Sequence, residues 1–299
     1  MTLPEPIALA LRDAGLDSRY IDDLILATLE EDLGGGDDVT TVATVPEHLR
    51  VIAVLESRER GVVAGIPVIE AVFAAVGDGV EVERHVGDGD LVQPGSKLLT
   101  VRGRARHVLL AERTALNFAS RLSGIATTTR AWADALTGTT AVVRDTRKTT
   151  PLLRMLEKYA VRVGGGINHR SSLSESVLIK DNHIAAAGGV AAAFRAVKQA
   201  YPDLDIEVEV DDMSGVIEAV EEGAPTILLD NFTVDDVLEA VKVVDGRARL
   251  DVSGGLTLSR AAAYAATGVD YVSVGALTHS PQALDIGLDV VTVFDGPGT

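Results

Sequence analysis

From residue 141 onward the chain alternates short, almost continuously apolar runs with longer amphipathic stretches. The runs are AVVRD (141–145), SVLIK (176–180), IEVEV (206–210), TILLD (226–230), RLDVS (249–253) and DYVSV (270–274). Apolar residues at both parities mark strands of a parallel sheet buried on both faces. Helices are predicted between them over 152–163, 189–200, 214–222, 234–244 and 258–267. Thr150-Pro151 supplies an N-cap and a first-turn proline for the first of these, and Gly164 ends it. Thr233 with Asp236 has the spacing of a capping box. Six βα repeats in about 140 residues are too many for a small doubly wound sheet and too few for an eight-fold barrel. An incomplete α/β barrel fits.

The first part of the chain is mixed. Ile21, Leu24, Ile25 and Leu29 share one face of a helix over 20–33; RVIAVLE (50–56) reads as a strand; Ile69, Val72 and Phe73 mark a helix over 66–76. The following alternating runs, broken by Gly-Asp, Asp-Gly and Pro-Gly turns, look like a lipoyl or biotinyl carrier without its tip lysine and are read as plain β-structure. A helix over 107–122 closes this part, and a strand-like run at 285–294 is placed to return to it.

The 299 residues allow roughly two domains at ~150 residues each. A hydrophobic share of 46% supports a core and excludes a disordered chain. No apolar run approaches the ~18 residues of a membrane span. The opening MTLPEPIALALRDAG has no basic flank and does not read as a secretory signal. Without cysteine there is no disulfide framework, thiolate nucleophile or Cys-based metal site. The expectation is a soluble, cytoplasmic protein that binds neither membrane nor nucleic acid.

The charge sharpens this. The net charge is −17, which repels nucleic acid and anionic lipid. Yet residues 144–183 carry eight Lys/Arg against four Asp/Glu, a basic island of +4 in a remainder of −21. Two readings stand: a pocket for a small anion, or a solvated helix face.

In α/β barrels the reactive groups project from the C-terminal strand ends. Here those ends supply Asp145, Arg147 and Lys148; then Lys180, Asn182 and His183; Glu207 and Glu209; Asp230 and Asn231; Ser253, Gly254 and Gly255; and Gly275. One half of the rim is cationic: Arg147, Lys148, Arg170 and Lys180, joined by His169. Guanidinium forks pair with carboxylates and phosphates, so such a cluster suits a polyanionic ligand. The alternative is a set of ion pairs with Asp145, Asp181 and the acidic half of the rim. Glu209 and Asp230, on that acidic half, are suited to Mg²⁺ or to sugar hydroxyls. Glycines after the last two strands suit a phosphate. A phosphorylated, hydroxylated substrate and a second, anionic one follow, with phosphoryl or glycosyl chemistry driven by positioning and electrostatics.

The stretch DTRKTTPLLRMLEKYAVRVGGGINHR (145–170), continuing to LIKDNHI (178–184), resembles the signature of the quinolinate phosphoribosyltransferases, enzymes of NAD biosynthesis. LEEDLGGGDDVTT (29–41), ERTALNFASRLSGIAT (112–127), IEVEV (206–210), LLDNF (228–232) and GVDYVSVGALTHS (268–280) extend the likeness over most of the chain. The resemblance implies an N-terminal α/β sandwich domain (1–115, joined by 285–299) and an incomplete seven-stranded α/β barrel (116–284). It implies transfer of the phosphoribosyl group of phosphoribosyl pyrophosphate to quinolinate, with Mg²⁺, giving nicotinate mononucleotide, CO₂ and pyrophosphate. By motif, Arg147, His169, Arg170 and Lys180 hold the quinolinate carboxylates, with Lys148 in the same wall near the pyrophosphate. Glu209 and Asp230 face ribose and metal. Lys148, Lys180, Glu209 and Asp230 form the catalytic set, while Ser253, Gly254, Gly255, Gly275 and Ala276 cradle the 5′-phosphate. Arg113 enters the neighbouring subunit's site, making a homodimer the minimal unit and leaving a hexamer open.

Two positions depart from the family pattern: Leu152 and Ser172 stand where glycines are expected. Leu152 is expected either to crowd an anion or to turn into the core. Rival readings are a paralogue associated with molybdate transport operons, a barrel lyase using Lys148 or Lys180 as a Schiff base, and a catalytically silent binding barrel.

Overall fold

The computed structural model describes residues 3–295. The chain begins with α1 (Glu5–Asp13), α2 (Ser18–Leu33), α3 (Val39–Thr44), β1 (Leu49–Ser57), β2 (Gly61–Val62), α4 (Ile66–Ala75), β3 (Glu81–Arg84), β4 (Leu91–Val92), β5 (Lys97–Arg104) and α5 (Ala105–Ala135). It continues with β6 (Val142–Arg144), α6 (Arg154–Val163), β7 (Val177–Ile179), α7 (Asp181–Ala187), α8 (Val190–Ala200), β8 (Ile206–Val210), α9 (Met213–Glu221) and β9 (Thr226–Asp230). Last come α10 (Val234–Val244), β10 (Arg249–Ser253), a 3₁₀ turn (Leu258–Arg260), α11 (Ala261–Ala265), β11 (Tyr271–Ser273), α12 (Ala276–His279) and β12 (Ile286–Asp295).

Two compact units result. Among the described residues the first comprises 3–128, 155–164 and 281–295; the second comprises 129–154 and 165–280. The division expected at 115/116 falls inside α5, whose apolar face continues uninterrupted past that point. The expected return of the C-terminal run is seen in β12; of the segment 285–299, residues 296–299 lie outside the described residues.

In the first unit, β12-β1-β5-β3 form an antiparallel sheet, while α1 and α2 pack on α4. α4 is almost wholly apolar, with Ile66, Val68, Ile69, Val72 and Phe73 fully buried. Each such side chain contributes roughly 1.5–3 kcal/mol of transfer free energy. The capping residue of α2 is Asp17, whose side chain accepts from the Arg19 and Tyr20 amides. Gly124, inside α5, has a packing reason. A Cβ there would collide with the backbone at Gln282, where the returning chain donates from the Leu284 amide to the Ser120 carbonyl (3.0 Å).

In the second unit the strand order is β6-β11-β10-β9-β8-β7, all parallel. That is one strand fewer than the seven expected. At the β6 edge, Ile167 makes a single parallel bridge to Arg144. The run Gly164–Gly166 before it, with Gly165 at φ 92°, is a poor strand former, so the seventh strand is reduced to that bridge. No ladder joins β6 to β7 among the described residues.

Thr150-Pro151 does not open α6, which begins at Arg154. The Leu153 amide instead donates to the Thr150 carbonyl (3.1 Å), and Leu152 takes φ 65°. Proline second and a positive φ third is the signature of a type II turn, whose third position favours glycine. This accounts for the glycine expected there. Leu152 is 78% exposed, so it neither enters the core nor lines the cavity described below. Ser172 has no positive φ, and nothing in its backbone asks for glycine.

Candidate active site

Successive residues of a strand face opposite ways, and the register fixes which share the sheet's concave interior. Leu178 pairs with Glu207, Glu209 with Leu228, Leu228 with Asp251 and Asp230 with Ser253. Leu178, Leu228 and Ser273 line the base of a cavity of about 600 Å³. At its rim stand the residues singled out from sequence: Arg147, Lys148, His169, Arg170, Lys180, Glu209, Asp230, Ser253, Gly254, Gly255, Gly275 and Ala276. All of these line it, because each stands at or just after the C-terminal end of a strand or the bridge at Ile167. Arg113 belongs to the first unit, on the exposed side of α5. His183 is a helix cap: its Nδ1 accepts from the Lys180 amide (3.0 Å) at the start of α7.

The cationic wall is built by its backbone. Asp145, fully buried at the end of β6, accepts from the His169 amide (2.8 Å) and the Asn168 side chain (2.6 Å). These bonds fasten the loop that carries His169 and Arg170. Arg170 donates to the Ser176 carbonyl (2.8 Å). Burial, then the nearby Arg147, press its guanidinium below the ordinary arginine value. The Nε atoms of Arg147 and Arg170 are both buried without a hydrogen-bond partner. An unsatisfied buried cationic donor is costly, and two together mark a place for an anion.

The acidic side differs. Both oxygens of Asp230 are engaged, one by the Ser253 hydroxyl (2.9 Å) and one by the Asn231 amide (2.7 Å). Asn231 sits at φ 60°, a region asparagine tolerates better than most residues. A Cβ on Gly254, itself at φ 93°, would strike the Asn231 side chain. Glu209 accepts from the Lys180 ammonium at 2.6 Å. The alternative of ion pairing across the rim therefore holds at Lys180–Glu209, and the two walls touch there rather than standing apart. No group of three or more His, Cys, Asp or Glu suited to a metal exists among the described residues.

Sequence reasoning missed Thr146, Leu256 and His279 in the lining, and Asn231 as a partner of Asp230. It also missed Arg144 and Asp251, buried beneath the cavity. The available signal was a charged residue in the middle of otherwise apolar strands.

The comparisons with known proteins agree over both units. Residues 38–123 match the family model "Quinolinate phosphoribosyl transferase, N-terminal domain", and residues 125–289 match its C-terminal domain. The chain is 52% identical over 275 residues to the nicotinate-nucleotide pyrophosphorylase [carboxylating] of Mycobacterium leprae, covering 90% of this chain and 96% of that one. It is 42% identical over 288 residues to quinolinate phosphoribosyltransferase [decarboxylating] 1b of Nicotiana tabacum, covering 90% and 82%. The crystal structure of the nicotinate-nucleotide pyrophosphorylase of Ehrlichia chaffeensis superposes with a TM-score of 0.87 at 41% identity, covering 90% and 97%. No helix of the described residues is long and apolar enough to cross a membrane. With family models over both halves and close relatives matched along nearly their whole length, this chain belongs to the quinolinate phosphoribosyltransferase family.

Proposed function

We propose that this protein transfers the phosphoribosyl group of phosphoribosyl pyrophosphate to quinolinate with loss of CO₂, giving nicotinate mononucleotide and pyrophosphate. The observation that carries the reading is the pair of buried guanidinium donors on Arg147 and Arg170, unsatisfied in a cavity whose other side holds Glu209 and Asp230.

Quinolinate is a dianion at neutral pH. Arg147, His169, Arg170 and Lys180 hold its two carboxylates through charge-assisted hydrogen bonds, with Lys148 completing the wall toward the pyrophosphate. Ser253, Gly254, Gly255, Gly275 and Ala276 present backbone amides to the 5′-phosphate. The C1–O bond to pyrophosphate breaks with its electron pair leaving on oxygen, and the pyridine nitrogen's lone pair forms the C1–N bond. Glu209 and Asp230 face the cationic ribosyl carbon of that transition state. Loss of CO₂ from C2 then leaves the electron pair on a carbon next to the cationic ring nitrogen. The same cationic wall stabilises it until a proton arrives.

Two carboxylates, both already hydrogen-bonded, make a poor stand-alone metal centre but suit a Mg²⁺ carried in on the pyrophosphate. Glu209 and Asp230 are the residues that would hold it, and when bound it neutralises the leaving group. Arg113 is assigned to the site of a second copy, so the working unit is a homodimer. Lys180 as a Schiff-base nucleophile is disfavoured by its pair with Glu209, since an ion-paired ammonium is not a free amine nucleophile.

The test mixes protein, quinolinate, phosphoribosyl pyrophosphate and Mg²⁺ and follows CO₂ and mononucleotide together. Equal yields of both are expected, with no turnover of nicotinate. Ligand binding without pyrophosphate release overturns the reading.

A further inference from the structure

Beneath the cavity lies a layer of charge. Arg144 on β6, Glu207 on β8 and Asp251 on β10 are 8%, 5% and 0% exposed. They come from alternate strands, the arrangement that in most barrels brings branched aliphatic side chains into one layer. Glu207 accepts from Arg144 Nη2 at 2.5 Å, and the same nitrogen is paired with Asp251. Asp251 Oδ2 also accepts from the Ser273 hydroxyl (2.5 Å), and Arg144 Nε donates to that hydroxyl oxygen (3.1 Å). The Arg144 guanidinium lies over the Tyr271 ring, 4.7 Å from its centre. Asp251 Oδ1 has no partner.

Such a layer is a poor way to stabilise a sheet, because well-packed aliphatics of similar volume do as well or better. Its placement gives it another use. The second oxygen of Glu207 lies 2.8 Å from Nε2 of His169, and His169 and Ser273 both line the active-site cavity. The network is anchored under the floor and emerges at the wall.

We propose that Glu207 is a positioning residue for quinolinate. Clamped by Arg144, it accepts from His169 Nε2 and fixes the rotation and tautomer of the imidazole that meets a substrate carboxylate. The second histidine nitrogen in a carboxylate–histidine pair is oriented in this way at many sites. Asp251 and Ser273 act one step further back, holding the Arg144 fork in the plane that Glu207 needs. This deepens the functional reading above and rests on it.

Steady-state kinetics of the full chain test it. Glu207→Gln removes the charge that holds the ring, and Glu207→Asp keeps the charge beside Arg144 but withdraws it from His169. Either variant is expected to raise KM for quinolinate about tenfold, while KM for phosphoribosyl pyrophosphate moves less than twofold. Combined with His169→Ala, either is expected to add nothing to the loss that His169→Ala causes alone. An unchanged quinolinate KM in the folded Asp variant, a parallel rise in both KM values, or additivity with His169→Ala overturns the proposal. Wild-type protein run alongside separates the two readings. Absence of product there defeats the assigned reaction, whereas normal turnover with unmoved variants defeats only the role of Glu207.

Discussion

The two units place their buried charge differently. The first buries Phe73, Ile69, Leu55, Leu99 and Leu122 in an apolar core. Its buried polar contacts include Arg121 with the fully buried Glu157 at 2.8 Å and the Ser123 hydroxyl, which accepts from the Ala64 amide (3.1 Å). The sheet of the second unit instead surrounds Arg144, Glu207 and Asp251, directly below a polar cavity. Apolar transfer free energy is non-directional, so the first core constrains volume more than direction. A buried ion network is directional and holds its members in one geometry. The first unit is built for stability and the second for placement.

Perturbing each interior should therefore give different readouts. The largest effect expected is from Phe73→Ala, which empties a fully buried site and should lower unfolding free energy by about 3–5 kcal/mol. Denaturant titration measures this, and the quinolinate KM of the protein that remains folded should not change. Arg147→Ala should do the reverse. It should weaken quinolinate binding by about 2–5 kcal/mol with little change in the melting midpoint, and isothermal calorimetry with quinolinate distinguishes the two. Gly124→Ala forces a Cβ against the Gln282 backbone and should cost about 1–3 kcal/mol of stability by overpacking, despite alanine's better helical propensity.

A pH series sharpens the contrast. Burial pushes the Asp251 carboxyl up to about 7, against the pull of Arg144 and with the help of Glu207. Between the ordinary value of 3.8 and that point, the folded state keeps a proton that the unfolded chain has lost. The stability due to this group is therefore full below about 4 and falls as pH rises toward 7, by at most about 1.4 kcal/mol per unit. Asp251→Asn should flatten that slope in urea titrations at pH 5, 6, 7 and 8; an unchanged slope removes Asp251 from the account. The smallest effect expected is a gain. Leu152→Gly relieves a positive φ on an exposed leucine and should stabilise by about 0.5 kcal/mol, the backbone relief being partly offset by glycine's entropy. Thermal melting reads it.

Much of the second unit was legible from local pattern. The strands 206–210, 226–230 and 249–253 and the helix 234–244 appear with the bounds their apolar periodicity predicts. Thr233 and Asp236 form their capping box. The rim residues gather because strand ends of a parallel sheet lie on one side, so position along the chain sufficed to collect them. Where reading failed, the deciding force was not local. Thr150-Pro151 has the composition of a helix start, but the Arg154 guanidinium is tied to the Thr149 hydroxyl (2.9 Å) and to the Ser171 carbonyl (2.9 Å), the latter 17 residues away. The boundary expected at 115/116 lies inside a helix 31 residues long, which extends the helix predicted over 107–122.

The amino-acid sequence alone determined the alternation of strands and helices, the family motif and the sign of charge on each side of the rim. All of these depend on residue type and spacing along one chain. Only the tertiary structure decided that Lys180 meets Glu209, that Asn231 and Ser253 hold Asp230, and that Arg144, Glu207 and Asp251 share one buried layer. Those pairings depend on the register between strands far apart in the chain. Charge interactions depend steeply on a distance that no local pattern encodes.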